Sequence, residues 1–485
     1  MLISPTTRSF KACALAAATS ILILSMLWYG DSEALCRVSR GRVCQGRTIQ
    51  VSHNPHLFKH RHIAIATSFG FHFDVWLPVA WTLQRLLRGV EGTLVQVYAE
   101  TPFAHGFGEI SDQLGLYHGT VKDYETIIAD LRANEGDGGI DMVILPTAIA
   151  DLGHYGKDLV AAWDARDDGH KFMVVGIAHH AENPTYEEAF APLARRGALR
   201  LLPISDHVSR AFENLVQEFA ASPDPVIRSA GFEYVSSDVH VPILNLSIPD
   251  RHYPGKLSNV VIQGTFATNM RDFNRIFQDL TQELRDDPRT WGYRPAHDGS
   301  PSLVEDTSLS NPFKLHLVGH GWLDIPEELR NVIVFHNDLG YREFYDVMSS
   351  MDLCLPALKS SYGYYWATAS STVVMCSQVN TPMLVTQRFR KAYSYLDDDR
   401  VLVTHPAAMS EVAAIKALRT RDASDFLSSD PSGLGLAMGS HAGVRKAVES
   451  MLRHGWVRPK SGFEAWKAGV WARNDGVMAR ILSDL

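Results

Sequence analysis

Short apolar runs alternate with helical patterns along most of this 485-residue chain. The runs at residues 62–67, 260–266 and 314–320 are rich in Val, Ile and Leu, and each is followed by Gly or polar residues. Helical patterns with an apolar face separate these runs. Such alternation predicts parallel β-sheets with crossover helices. Ligands of such sheets bind where the strands end and the helices begin.

The pattern divides into two α/β units joined by a proline-containing segment. We expect Rossmann-like domains over residues 61–250 and 255–405, facing each other across a cleft. Residues 239–256 contain three prolines and predict a boundary strand that continues as a linker. Residues 285–311 are polar and predict a surface insertion. Residues 406–485 predict helices that pack back on the body.

The amino terminus predicts a membrane anchor. Residues 12–29 are an uninterrupted run of apolar and small residues, about long enough to span a bilayer. Arg8 and Lys11 precede the run, and basic residues favour the cytoplasmic side. We therefore expect a cytoplasmic tail and transmembrane helix over 1–30 and a stem over 31–60.

A cleaved signal peptide is the alternative, with Ser32-Glu33-Ala34 as the cleavage site. In both cases the body of the protein is lumenal or extracellular. The anchored form would be a type II single-pass protein of the Golgi or endoplasmic reticulum membrane.

Charge and cysteine usage narrow the classes of function. The formal net charge is −8 and no basic tract is present, which argues against nucleic acid as a partner. Cys36 and Cys44 could pair in an oxidising lumen. Cys354 and Cys376 fall in a predicted strand and helix, where we expect small apolar core residues. Asn245 begins a glycosylation sequon.

Three hydroxyl residues, Ser370, Ser371 and Thr372, open a predicted helix in the second unit. The amino end of a helix offers free N–H groups and the positive end of the helix dipole. The hydroxyls could cap the helix or bind a phosphate group.

The second unit resembles the donor half of a GT-B glycosyltransferase. Within that fold the chain resembles fungal single-pass membrane transferase-like proteins, well over residues 255–400 and more loosely over 60–250. The resemblance implies transfer of a sugar from a nucleotide-sugar donor to a glycan, glycoprotein or glycolipid. The nucleotide-sugar would be a substrate, and no separate cofactor is implied.

The resemblance also implies donor-binding residues at the strand ends of this unit. Glycine permits close approach of the backbone to phosphate, and arginine can pair with phosphate in a bidentate manner. The Ser370–Thr372 helix start stands at the phosphate position of the family. The donor-binding residues so implied are Gly264, Arg271, Gly319, His320, Gly321, Asn337, Leu339, Ser370, Ser371 and Thr372.

One departure from the family concerns acidic residues. The best-known retaining subgroup carries two glutamates flanking the Ser370–Thr372 stretch. This chain has no Glu between Glu343 and Glu411. This absence favours, as an alternative, a non-catalytic protein that binds nucleotide-sugar or glycan. A nucleotide-sugar epimerase, which would share the fold, is a second alternative to a transferase.

The first unit supplies candidate acceptor-binding and catalytic residues. The loop after its first strand holds Gly70, His72 and Asp74, and the resemblance implies that Gly70 and Asp74 contact the acceptor. His180 follows a later strand and resembles the histidine of the family near the reacting sugar. A neutral imidazole of His72 or His180 could take a proton from the acceptor.

No Cys, His or acidic cluster has convincing metal-ligand spacing. Residues 397–399 are three consecutive aspartates, which we interpret as a solvated acidic turn. Helix dipoles and basic side chains can stabilise a leaving diphosphate, so we expect a metal-independent hexosyltransferase-like enzyme.

Overall fold

Two parallel six-stranded sheets form the body of the protein, as the computed structural model shows. It describes residues 58–183, 185–251, 253, 255–296 and 301–485. Both predicted parallel sheets are therefore confirmed. The anchor, the stem as far as residue 57, and Cys36 and Cys44 lie outside the described residues, whereas Phe58 is buried in the core. Among helices of the described range, none combines the length and apolar character needed to cross a membrane.

The first half has the strand order β2-β1-β3-β4-β5-β6, with every pairing parallel. Its central strands are buried on both faces, as the continuous Val/Ile/Leu runs predict. Its elements are β1 (His62–Ala66), α1 (Phe73–Leu86), β2 (Leu94–Tyr98), α2 (Phe107–Leu114), α3 (Ile127–Ala133), β3 (Met142–Leu145), α4 (Ala148–Ala165), β4 (Met173–Ala178), α5 (Tyr186–Ala194), β5 (Leu199–Pro203), α6 (Asp206–Ala220), α7 (Pro225–Arg228) and β6 (Ser236–Ser237).

The second half has the order β11-β10-β7-β12-β13-β14, also parallel, with a separate β8–β9 hairpin. Its elements are β7 (Asn259–Thr265), α8 (Phe273–Asp286), α9 (Pro288–Trp291), β8 (Tyr293–Pro295), β9 (Leu303–Glu305), β10 (Lys314–His320), β11 (Ile333–Asn337), α10 (Tyr341–Ser349), β12 (Leu353–Cys354), α11 (Ser371–Gln378), β13 (Met383–Val385), α12 (Gln387–Ala392), β14 (Leu402–Thr404), α13 (Glu411–Thr420), α14 (Ser424–Ser428), α15 (Ala442–His454) and α16 (Lys460–Ser483).

Helix α8 shows how the sequence pattern produces this packing. Its apolar residues recur at helical spacing, which places them on one face. That face is buried against the second sheet. The face consists of Phe273, Ile276, Phe277, Leu280 and Leu284.

The two halves share one apolar core. A single cluster joins Trp76 and Phe107 of the first half to Tyr345 and Met348 of the second. The last helix, α16, returns to the first half, where Trp471 packs edge-on against Trp81 with ring centroids 5.6 Å apart. The strand ends of the two sheets are therefore held close together.

The expectations for three segments need correction. Residues 239–248 form no strand: Asn474 of α16 bonds both backbone groups of Val241, at 3.1 and 2.8 Å. The predicted surface insertion contributes Trp291 and Tyr293 to the core of the second half. Cys354 and Cys376 are buried as expected, but they form a disulfide that ties β12 to α11.

Candidate functional site

Several predicted donor-binding residues converge at the amino end of α11. Arg271, just before α8, donates through Nη2 to the Thr372 hydroxyl at 2.7 Å. The Thr372 hydroxyl donates in turn to the Gln263 carbonyl, also at 2.7 Å. Arg271 Nη1 donates to the Pro356 carbonyl. The guanidinium thus joins the end of β7 to the start of α11.

The glycine at position 264 makes room for this arginine. Its φ is +122°, and an added Cβ would lie 2.3 Å from Arg271 Nη2. A side chain here would therefore displace the guanidinium. The predicted pairing of a glycine turn with Arg271 is present in space, but the arginine is only 3% exposed and does not project into open solvent.

Arg271 differs from the other buried arginines in its electrostatic neighbours. Among the described residues five arginines are buried: Arg166, Arg200, Arg271, Arg419 and Arg458. Each of the other four has an Asp or Glu as an electrostatic neighbour. Burial lowers the pKa of Arg271, and only Tyr364 and Tyr393 oppose that effect. Its positive charge is therefore buried without a carboxylate from the described part of the chain.

An unpaired hydroxyl group lies beside this charge. The Ser370 hydroxyl, at the residue before α11, is buried without a hydrogen-bond partner in the described structure. The Tyr393 hydroxyl is also buried, and the Ser370 backbone lies within hydrogen-bonding reach of it. Buried polar groups are rarely left unpaired. A cation, a helix amino terminus and the unpaired Ser370 hydroxyl together form an arrangement suited to an anion.

The remaining predicted donor-binding residues lie further along the edge of the same sheet. Gly319 pairs in register with Gly264, and a Cβ at Gly319 would lie 2.0 Å from the Gly264 carbonyl oxygen. His320 is exposed, and its Nδ1 lies 2.7 Å from an Asp338 carboxylate oxygen. Sheet packing thus requires the glycine at 319, whatever its role toward a ligand.

Three other residues of this edge were also predicted to bind the donor. Gly321 has a φ of +117°. Asn337 ends β11 and is exposed, whereas Leu339 packs partly against the shared core. Their contact with a nucleoside stays a prediction.

In the first half, two histidines stack at the strand ends. The rings of His72 and His179 lie 4.4 Å apart. His179 Nε2 donates to the Pro146 carbonyl at 3.1 Å, and His72 Nδ1 lies 3.3 Å from the Thr147 hydroxyl. Burial lowers the pKa of His72 to about 4 and that of His179 to about 3. Both imidazoles are neutral near pH 7.

Asp151, which the sequence analysis did not identify, is hydrogen-bonded to both of these loops. Asp151 of α4 is fully buried and accepts hydrogen bonds from the Ser68 backbone at 2.9 Å and the Thr147 backbone at 2.7 Å. It also accepts from the hydroxyls of Thr67 and Ser68. Burial raises its pKa to about 6. In the sequence Asp151 looks like an ordinary first-turn helix residue.

The two predicted acceptor-binding residues occupy different environments. Gly70 is half-buried in the loop after β1. Asp74 is buried in the first turn of α1, and burial raises its pKa to about 6. Tyr341 and Tyr345 of the second half are its electrostatic neighbours. Asp74 therefore lies at the contact between the halves rather than along an open cleft.

His180 lies where a segment of the second half crosses to the first. We call residues 359–369 the strap. The Ala181 N–H donates to the Ala367 carbonyl at 2.8 Å, and the Ala369 N–H donates to the His179 carbonyl at 2.9 Å. His207 Nε2 donates to the Thr368 carbonyl at 2.9 Å. Burial lowers the pKa of His180. The backbone of this predicted catalytic residue is thus fixed between the halves.

The three aspartates at 397–399 pair with arginines. Arg390 donates to Asp397 and Asp399, and Arg400 donates to Asp398. Asp397 and Asp399 are exposed, as the interpretation of a solvated turn expects. A cavity of about 550 Å³ beside them contains none of the predicted site residues. Within the described ranges no group of three His, Cys, Asp or Glu side chains could hold a metal ion. Metal independence stays a prediction.

No protein-family model and no curated protein matches the sequence. Solved structures similar to the chain include the glycotransferase of kitacinnamycin, with 13% identity, a TM-score of 0.38, and coverage of 87% of this chain and 99% of that one. A mutant Thermobaculum terrenum O-GlcNAc transferase has 10% identity, a TM-score of 0.39, and coverage of 89% and 69%.

A putative UDP-N-acetylglucosamine 2-epimerase from Listeria monocytogenes has 12% identity, a TM-score of 0.39, and coverage of 84% and 94%. The two parallel sheets are consistent with a two-domain GT-B α/β fold. These distant likenesses include both transferases and an epimerase, so they do not decide between the two activities.

Proposed function

We propose that this chain is a glycosyltransferase that binds a nucleoside diphosphate sugar in its second half. The observation that carries the proposal is the buried charge of Arg271, which has no carboxylate among its electrostatic neighbours. An isolated buried charge is costly unless something compensates it. The diphosphate of the donor would supply the compensating negative charge.

The neighbouring groups support a diphosphate in particular. The Gly264 turn lets the guanidinium lie against the backbone, and α11 directs its amino terminus to the same region. Ser370 offers a hydroxyl without another partner. Preorganised donors of this kind can stabilise negative charge on a leaving group without a metal ion.

The acceptor would lie against the first half, where the loop after β1 and the loop after β4 reach the strap. A glycan, glycoprotein or glycolipid of the secretory pathway is the acceptor that we propose. Two features support a lumenal body: the buried Cys354–Cys376 disulfide, which is typical of oxidising compartments, and the exposed Asn245 of the sequon. A type II anchor in the Golgi or endoplasmic reticulum membrane completes the proposal.

The test compares two buried arginines. Arg419 binds the carbonyls of Leu257, Thr290 and Asn311 in the same half, away from α11. Thermal stabilisation by UDP, GDP and their sugar conjugates should be lost in Arg271→Gln and retained in Arg419→Gln. Loss of one charge-assisted hydrogen bond weakens binding by about 1.5–3 kcal/mol. Equal nucleotide responses in both variants would remove Arg271 from the site.

Product analysis separates the alternatives. Transfer or hydrolysis of a nucleotide-sugar, with and without a chelator, would support a metal-independent transferase. Interconversion of the donor sugar would indicate an epimerase. Binding without turnover would indicate a non-catalytic binding protein. Loss of turnover on chelation, restored by manganese or magnesium, would contradict metal independence.

A further inference from the structure

Glu182 reaches the strap from the opposite half of the molecule. It follows β4, two residues after His180, and its side chain is exposed. Its Oε1 accepts a hydrogen bond from the Trp366 indole at 2.8 Å. No Lys, Arg or His of the described residues forms an ion pair with Glu182. One carboxylate oxygen is therefore held in place while the other, Oε2, is uncommitted.

The Glu182 carboxylate lies close to the backbone of Gly363 in the strap. A Cβ at Gly363 would lie 2.7 Å from Glu182 Oε2 and 2.8 Å from the Thr368 hydroxyl. Both contacts are shorter than real Cβ contacts, although Gly363 does not have a positive φ. A side chain at position 363 would therefore displace the Glu182 carboxylate or the Thr368 hydroxyl from its present position.

Chain connectivity limits the distance between Glu182 and the proposed diphosphate site. Thr368 precedes Ser370 by two residues, and two residues span at most about 7 Å of extended chain. Ser370 carries the unpaired hydroxyl beside Arg271. Glu182 therefore places a carboxylate from the first half near the place where a sugar would project from the diphosphate.

The neighbouring histidines are less suited than Glu182 to take a proton from the acceptor. His179 uses Nε2 to bond the Pro146 carbonyl, and His72 lies within hydrogen-bond distance of Thr147. The two rings also stack on each other. His180 is the remaining histidine of this loop that could take the proton.

Resting on the transfer function proposed above, we propose that Glu182 is the general base of a single-displacement reaction. The acceptor oxygen forms a bond to the anomeric carbon as the bond from that carbon to the diphosphate oxygen breaks. The proton of the acceptor hydroxyl passes to Glu182, and the nucleoside diphosphate leaves with the bonding electron pair. The configuration of the anomeric carbon is inverted.

Glu182→Gln tests the charge of this residue while keeping its place. The amide oxygen can still accept the Trp366 hydrogen bond, so the strap contact is retained. In the full chain, hydrolysis of UDP-glucose, UDP-N-acetylglucosamine and GDP-mannose measures turnover with water as the acceptor. We expect kcat to fall about 100-fold or more, with donor affinity and Tm unchanged. Glu188→Gln, an exposed glutamate of the neighbouring helix α5, serves as the matched control and should keep wild-type turnover.

Two further measurements separate a base from a structural contact. Trp366→Phe removes the indole donor but leaves the carboxylate, so it should reduce kcat far less than Glu182→Gln. Proton NMR of the first sugar released should show the anomer opposite to that of the donor.

The outcomes are distinguishable from failure of the transferase proposal. Donor binding and turnover in the wild type with an unaffected Glu182→Gln variant would overturn the role of Glu182 alone. Loss of turnover in His180→Asn but not in Glu182→Gln, or release of the retained anomer, would also overturn it. A wild-type protein that neither binds nor turns over any of the three donors would overturn both proposals.

Discussion

At the scale of single residues, the site is defined by charges and titratable groups that the fold removes from water. Arg271 retains its charge without a carboxylate among its electrostatic neighbours, whereas His72 and His179 are kept neutral by burial. The two kinds of group respond differently to their surroundings. The buried charge of the arginine is the basis of the proposed anion site, and the histidines make the stability of the first half depend on pH.

The pH dependence of stability follows from the lowered pKa of His179. The unfolded histidine binds a proton near pH 6.5, while the folded one does so only near pH 3. Stability is therefore complete above pH 6.5 and is lost as the pH falls below it. Between pH 6.5 and 5 the loss from His179 is up to about 2 kcal/mol.

Denaturant unfolding of the wild type and of His179→Gln measures this loss. The glutamine amide can still donate to the Pro146 carbonyl but does not titrate. We expect a shallower decline in the variant over this pH range. Asp74 and Asp151 have raised pKa values and act in the opposite direction, favouring the folded state at low pH in both proteins alike. Identical pH slopes in the two proteins would refute the prediction.

At the scale of elements, the amino terminus of α11 is fixed by bonds to two different strands. Thr372 is bonded to the end of β7 through the Gln263 carbonyl. The Cys354–Cys376 disulfide, which spans 22 residues, ties α11 to β12. These two bonds hold the first two turns of α11 in place, so its free N–H groups point in one fixed direction.

Removing the disulfide should lower the free energy of unfolding. We expect the double variant Cys354→Ala, Cys376→Ala to lose about 2–4 kcal/mol, because closing the chain restricts the unfolded state. Chemical denaturation measures the change, and the reduced wild type should lose a similar amount. Peptide mapping that recovers both cysteines as free thiols from the unreduced wild type would contradict the pairing.

At the scale of the whole molecule, α16 joins the two halves. The Trp466 indole donates to the Tyr395 carbonyl of the second half at 3.0 Å. The Trp471 indole donates to the Ile243 carbonyl at 2.9 Å, in the segment that connects the two sheets. Arg480 and Asp238 form an ion pair at the far end of the helix. The relative position of the two sheets therefore depends on the last 26 residues.

Substitution of Asn474 tests whether α16 holds the two halves together. Its amide bonds both the N–H and the carbonyl of Val241, and it is fully buried. Asn474→Ala would leave both backbone groups unpaired, at a cost of about 2–4 kcal/mol in unfolding free energy. Arg473→Ala, at the adjacent exposed position, should change stability by less than about 0.5 kcal/mol. Equal stability of the two variants would show that α16 does not fix the halves in this way.

The order of strands and helices, and the ends at which ligand-binding residues gather, were determined by the sequence. The apolar runs that become β1, β7 and β10 are local signals, since a strand buried on both faces must be apolar throughout. Because the strands are parallel, their carboxyl ends meet at one edge. For this reason Gly264, Arg271 and the start of α11 could be grouped before their contacts were known.

The partners of the side chains were decided by the tertiary structure. Asp151 bonds Thr67 and Ser68 across more than 80 residues, and Glu182 bonds Trp366 across 184. Neither pairing leaves a periodic or motif-like trace, because each depends on which loops the packed sheets bring together. The burial of Arg271 and the bond between Cys354 and Cys376 have the same origin. The local sequence pattern predicts the element in which each of these residues lies. It does not predict their burial or their bonding partners, because these depend on elements distant in sequence.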